Sequence, residues 1–195
     1  MPIKGQKTTS NYVEWNTITT LILKLERDGN WKFSILISIG IFTGLRISDI
    51  LSLKWNDLLN KEFLMITEKK TKKFRNIKLN PQLLDIVARI FKAQKIANPD
   101  TLIFLNRWRT GTIRIQYVNA MLKKIFIKYK ISKDGTAISS HSLRKSFGRR
   151  TWNVHQNSEK SLVILSEILK HSSIATTKIY LGIREEEISE IYLNL

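Results

Sequence analysis

A chain of 195 residues, 43% hydrophobic and carrying a formal net charge of +17, is long enough to bury a core and too apolar to be disordered throughout. With no cysteine it can hold neither a disulfide framework nor a thiolate metal site, and no run of about eighteen apolar residues offers a membrane span. A cytoplasmic, nucleoid-associated location is the default expectation from those absences, while the excess of 33 Lys and Arg over 16 Asp and Glu points to a polyanionic partner, nucleic acid before membrane surface, and says nothing about catalysis.

In chain order, residues from about Tyr12 to Asp28 read as a helix, with Val13, Ile18, Leu21, Leu23 and Leu25 as apolar surface and Gly29-Asn30 as its stop. Trp31 to Thr43 is a second helix, nearly all apolar and therefore central. Gly44 permits a sharp break, and a short helix follows from about Ile47 to Leu53. The period then changes. Phe63 to Thr67 and Phe74 to Leu79 read as two strands, joined by Glu68-Lys69-Lys70-Thr71-Lys72-Lys73, a link too polar to bury. Pro81 opens a helix to about Ile96. Leu102-Ile103-Phe104 is a buried short strand or an apolar loop, and Thr112 to Lys130 is a helix with Arg114, Lys123, Lys124 and Lys128 on its outer side. Four short helices finish the chain: about Ser142 to Val154, Ser158 to Lys170, Ser173 to Leu181 and Glu185 to Leu193. The expected class is mainly α with a small β-sheet, in one compact domain.

Some residues stand out for chemistry, though each has an ordinary reading alone. Arg46 could be a surface arginine at a helix start. His141 and Arg144, three apart on one helical face, could be structural, and His171 could be a C-terminal cap. Tyr180 is one of five tyrosines. Together with a lysine at the hairpin tip they make a full set for phosphoryl transfer from DNA to protein. Arginine forks grip non-bridging phosphate oxygens, a histidine can take a phenolic proton, and an ammonium can protonate a leaving oxygen. No carboxylate pair with metal-like spacing accompanies them, so neither a metal ion nor another cofactor is called for.

The segment Thr43-Gly44-Leu45-Arg46-Ile47-Ser48-Asp49-Ile50-Leu51-Ser52-Leu53-Lys54-Trp55 resembles the first signature box of the tyrosine recombinases, the phage-integrase and Xer-type enzymes. His141-Ser142-Leu143-Arg144-Lys145-Ser146-Phe147 resembles the second, and Leu169-Lys170-His171 through Tyr180 the third, with its histidine nine residues before the nucleophile. The resemblance spans about Asn11 to Leu195. It implies that family's catalytic-domain fold and a strand transferase acting on double-stranded DNA, monomeric when free and tetrameric on DNA. Carried across by position, Arg46 and Arg144 would bind the phosphate and His141 would be the general acid/base. His171 would hydrogen-bond the scissile phosphate, and Tyr180 would form a 3′-phosphotyrosyl bond. Counting back from Leu79 selects Lys70 as general acid, with Lys69, Lys72 and Lys73 close by, and Asp49 matches an acidic position that braces the active-site arginine or else supplies helix N-terminal charge.

Two positions depart from the pattern. Lys170 stands where glycine usually precedes the third-box histidine, so it must adopt a right-handed conformation or bear left-handed strain. Lys145 stands where a second histidine often follows the second-box arginine. Residues 1–10 read as a flexible N-terminal segment, 11–183 as the catalytic domain, and 184–195 as a tail helix whose Ile188, Ile191, Tyr192 and Leu195 form an apolar stripe. That stripe either packs on its own domain or, as in the family, docks into a neighbouring protomer. About ten residues precede the first helix, whereas family members usually carry a further N-terminal DNA-clamping domain. This fits a fragment or a naturally short member. The competing readings are a non-catalytic DNA-binding module and, within the same chemistry, a type IB topoisomerase-like enzyme.

Overall fold

The fold is built around α2 (Trp31–Thr43), in which every residue from Phe33 to Ile41 is buried, as is Thr43. Its hydroxyls are absorbed without breaking the helix: Ser38 donates to the Ser34 carbonyl at 2.8 Å and Thr43 to the Ile39 carbonyl at 2.6 Å. The computed structural model describes residues 10–194, so residues 1–9 of the expected N-terminal segment, and Leu195 of the tail stripe, lie outside the described residues. Ser10 is already buried.

α1 (Trp15–Arg27) lays Ile18, Leu21, Ile22 and Leu25 on one side of α2. It starts three residues later than its apolar pattern suggests. The reason is a competing set of bonds: the Asn11 amide donates to the Ala137 carbonyl at 2.7 Å and the Val13 amide to Ser146 Oγ at 2.8 Å, which hold the entry extended. After α2 comes the single turn α3 (Ile47–Ile50), shorter than the helix expected to Leu53, and then a 3₁₀ turn at Trp55–Asp57. β1 (Phe63–Thr67) and β2 (Phe74–Lys78) form a two-stranded antiparallel sheet with Phe63 opposite Lys78 and Thr67 opposite Phe74. Leu64 and Arg75 face inward while Phe63, Met65 and Phe74 stay exposed.

α4 (Pro81–Ala93) packs on α2, its first turn capped by the Asn80 side chain, which accepts from the Gln82 amide. Leu102 resolves as an isolated bridge to Lys54, followed by buried Ile103 and Phe104. α5 (Ile115–Lys128) starts after Thr112, which is held instead in a bridge to Leu105.

α6 (Ser140–Val154) crosses α2 where Gly40 leaves room. A Cβ there would sit 2.9 Å from Leu143 Cβ, so the close crossing needs glycine. α7 (Glu159–Leu169), α8 (Ile174–Leu181) and α9 (Ile183–Leu193) complete the chain. They do not join the main core. Leu162, Leu165, Leu181 and Ile183 form a second, smaller cluster, against which Phe147, Trp152 and Tyr180 pack. The architecture is mainly helical with one small sheet, as the sequence patterning implies.

Candidate active site

The site opens at the C-terminus of α2. Gly44 ends that helix at φ +60°, and a Cβ there would lie 2.5 Å from the Phe147 ring, so only glycine turns the chain here against α6. The turn delivers Arg46 to the N-cap position of α3. Its guanidinium meets Glu68 Oε2 at 2.5 Å.

Glu68 departs most from what the sequence suggests. The hairpin link is not wholly exposed, because Glu68 is sealed from solvent at its first position. It also accepts from Arg75 Nη1 at 3.2 Å and from Thr71 Oγ1 at 2.6 Å. Burial pushes its carboxyl up, but the Thr71 and Arg75 hydrogen bonds and the charges of Arg46 and Arg75 outweigh this and hold it below the ordinary value. The brace on Arg46 is therefore Glu68. Asp49, equally buried, serves the hairpin instead. Its Oδ1 accepts from the Lys69 amide at 2.9 Å and ties that link to α3. Arg75 in turn donates to the Thr43 carbonyl at 3.4 Å and fastens the hairpin to the end of α2.

Arg144 is held in another way. It projects from α6, nearly buried, and donates one arm to the Gly44 carbonyl and another to the Leu169 carbonyl at 2.6 Å. Those acceptors terminate α2 and α7, where helix dipoles are negative. Two carbonyls orient the guanidinium, and no carboxylate among the described residues forms a salt bridge with it. Desolvation lowers its pKa to about 10, far above neutrality, so the charge persists.

The other predicted residues gather around these arginines. His141 is exposed in the first turn of α6, which begins two residues earlier than expected because Ser139 caps it. Desolvation lowers the His141 pKa, and the charges of Arg144, Lys145, Lys70 and Arg46 add to the effect. Lys70 is exposed on the hairpin turn, and its charge is among those that lower the His141 pKa.

His171 follows α7 directly. Lys170 takes the left-handed conformation that glycine would fill, at φ +53°, a strain of order 1 kcal/mol that turns the chain toward the site. Desolvation and the charges of Arg144 and Arg46 push the His171 pKa down to about 4, so its ring is neutral near pH 7. The ring packs edge-on to Tyr180, with centroids 5.0 Å apart. Lys145 Nζ lies 5.3 Å from the centre of the same phenol ring.

Tyr180 sits near the end of α8, half buried, with its oxygen covered and in no well-aligned hydrogen bond among the described residues. Burial raises its pKa to about 12, against the pull of Arg144 and Arg46. At rest the phenol is protonated. All six predicted residues thus share one locality, linked by contact or by charge. Glu68, Arg75 and Thr177 join them without having been foreseen. Glu68 was hidden inside a run of lysines, and Arg75 alternates with exposed neighbours in an ordinary strand pattern.

Known proteins share this arrangement of chain. A model of the phage integrase family matches residues 14–187. The probable integrase/recombinase YoeC of Bacillus subtilis (strain 168) is 34% identical over 170 residues, which cover 84% of each chain. The tyrosine recombinase XerH of Campylobacter jejuni is 27% identical over 148 residues, and there the chain spans only 40% of the relative. In structure, the XerA recombinase aligns with all of this chain at a TM-score of 0.69 and 20% identity, with 65% of its own length covered. A Tn1549 transposon integrase in complex with transposon end DNA aligns at 0.68 and 19% identity, covering 96% of this chain and 68% of its own. These structural likenesses show a shared fold. With the family match running nearly end to end, and a relative a third identical across most of both chains, this chain belongs to the phage integrase family of tyrosine recombinases.

Proposed function

We propose that the protein cleaves and rejoins double-stranded DNA at a specific site through a covalent 3′-phosphotyrosyl intermediate. The observation that carries this reading is the buried Arg144 guanidinium, oriented by two backbone carbonyls and near Arg46, His141, His171 and the covered Tyr180 phenol. A buried cation oriented by neutral carbonyls is a site for an incoming anion. A phosphodiester would complete it.

In the proposed step, Tyr180 Oη attacks phosphorus and the bond to the 5′-oxygen breaks. The phenol proton passes to His141, whose lowered pKa keeps its ring free to accept it. Lys70 gives a proton to the departing 5′-oxygen. Arg46, Arg144 and His171 hold the non-bridging oxygens as negative charge builds on them. Because the phenol rests near a pKa of about 12, it reacts only when phosphate is present and the proton leaves during attack. A 5′-hydroxyl from a partner strand then attacks the phosphotyrosine, giving its proton to Lys70, while His141 returns one to the departing Tyr180 oxygen. The DNA complexes among the related structures support DNA as the partner.

The test is a library of nicked duplexes of random sequence, in which cleavage next to the nick releases a short strand and traps the protein. A covalent adduct is expected with the full chain and none with Tyr180→Phe. Equal adduct from both proteins would remove Tyr180 from the role. No adduct from either would favour a non-catalytic binding module.

Assembly into a tetramer on DNA through the tail is part of the same proposal. Ile188, Ile191 and Tyr192 are 45%, 63% and 75% exposed on α9, an apolar stripe left to solvent by its own domain. A chain lacking Glu185 onward, which keeps the buried Ile183, is expected to keep most of its single-strand cleavage and to lose cooperative complex formation on a two-site duplex, read by gel mobility. Loss of both in equal measure would place α9 in the domain's own stability instead.

A further inference from the structure

Thr177 lies on α8 between His171 and the nucleophile, and it is fully buried. Its Oγ1 stands 3.0 Å from His171 Nδ1 and 3.3 Å from the Ser173 carbonyl. A hydroxyl has one proton to give, and these two acceptors compete for it. The choice decides the chemistry of the histidine. If the proton goes to Ser173, Nδ1 must donate to Thr177, and a neutral ring then presents a bare Nε2 lone pair. If it goes to Nδ1, the ring carries its proton on Nε2 and can donate there. The 3.0 Å contact is kept in either arrangement; the second gives up only the longer bond to the Ser173 carbonyl, and it alone leaves a donor at Nε2.

We propose that Thr177 is a positioning residue that donates to His171 Nδ1 and so fixes the tautomer in which Nε2–H points to the DNA phosphate. The inference rests on the recombinase reading, since it is the DNA phosphate that calls for a donor at Nε2. A phosphate oxygen only accepts hydrogen bonds, so the site needs a donor from a ring whose surroundings keep it neutral. A second proton would supply that donor, but the neighbouring Arg144 and Arg46 charges oppose it. A neutral donor beside two arginines is obtained by fixing the tautomer from behind. Thr177 is placed in the first half of α8, the helix that also carries Tyr180, so nucleophile and phosphate donor are set by one rigid element.

The experiment has two readouts on the full chain. Long-range proton–nitrogen spectra of the histidine rings report the tautomer directly in the free protein, and only three histidines need assignment. His171 is expected as the Nε2–H form in the natural chain and in Thr177→Ser, with Thr177→Val losing the signature of a hydrogen-bonded Nδ1 acceptor. Single-turnover adduct formation on the nicked-duplex library is expected to fall about tenfold in Thr177→Val, the order of one buried hydrogen bond, and to recover in Thr177→Ser. The remaining activity of Thr177→Val should rise as pH falls, since protonating the ring restores a donor at Nε2. An Nδ1–H ring in the natural chain, or equal activity of the Val and Ser variants at every pH, would overturn the proposal. Absence of adduct in every protein, with the tautomer as expected, would overturn the recombinase reading and leave the tautomer assignment standing.

Discussion

Arg144→Lys is expected to slow DNA cleavage by about 10²–10³-fold with the fold intact, because the loss is one of geometry and not of charge. The guanidinium is planar, and two of its arms already serve the Gly44 and Leu169 carbonyls, which fixes the plane in which the rest of the fork meets a phosphate. A lysine ammonium reaching the same place can satisfy one carbonyl or the phosphate, but cannot span all three. Arg144→Ala goes further. It strands two buried carbonyls, at roughly 1–3 kcal/mol each, and unpins α7 from α2. The pair of variants separates catalysis from scaffolding: adduct formation should fail in both, while the thermal midpoint should drop steeply only in the alanine variant. A lysine variant that cleaves at near-natural rate would show that charge alone suffices.

Glu68→Gln is the second large effect, and it acts first on stability. Removing one partner from a buried ionic cluster leaves the other uncompensated, at a cost of about 3–5 kcal/mol. Here Arg46 and Arg75 both lose their carboxylate, and Arg46 also loses the contact that aims it. Cleavage should therefore weaken along with the fold, and Glu68→Ala should be worse. The pH dependence gives an independent check. The folded-state carboxyl titrates below its ordinary value of 4.5, so Glu68 contributes stability above that value. The contribution is lost as pH falls through the folded value. The natural chain should lose stability steeply in acid, and the Gln variant, already lower at pH 7, should show a shallower acid limb in denaturant titrations. Parallel limbs would mean that Glu68 is not the titrating brace.

How much of this was legible in the sequence depended on whether the signal was local. The apolar run from Trp31 to Thr43 marks a central helix without help from its neighbours, and the alternation around Leu64 and Arg75 marks a hairpin. Spacing also exposed the chemistry, since Arg46, His141, Arg144, His171 and Tyr180 sit at intervals that a short motif can carry. What failed to show were assignments decided by partners far along the chain. Glu68 looks solvated because its five successors are polar, yet Arg46, 22 residues before it, makes its burial tolerable. Asp49 was the brace the sequence suggested, and only the placed hairpin shows that the Lys69 amide claims it. The start of α1 could not be read either, as bonds to Ala137 and Ser146 set it. Lys170 presents a choice between strain and a changed path, and the chain takes the strain.

The central burial of α2 has a consequence for how the chain is made. Its surface near Gly40 and Gly44 is covered by α6, and the contact that closes the site joins Gly44 to Arg144, a hundred residues later. At a synthesis rate of about 5–20 residues per second, that cover leaves the ribosome roughly 5–20 s after α2 does. For that interval a helix as apolar as a short membrane segment is covered by α1 and then α4, with the face that α6 will take still bare. The nascent chain is thus most exposed to aggregation between the synthesis of α2 and that of α6, and its active site is assembled by the same event that ends the exposure.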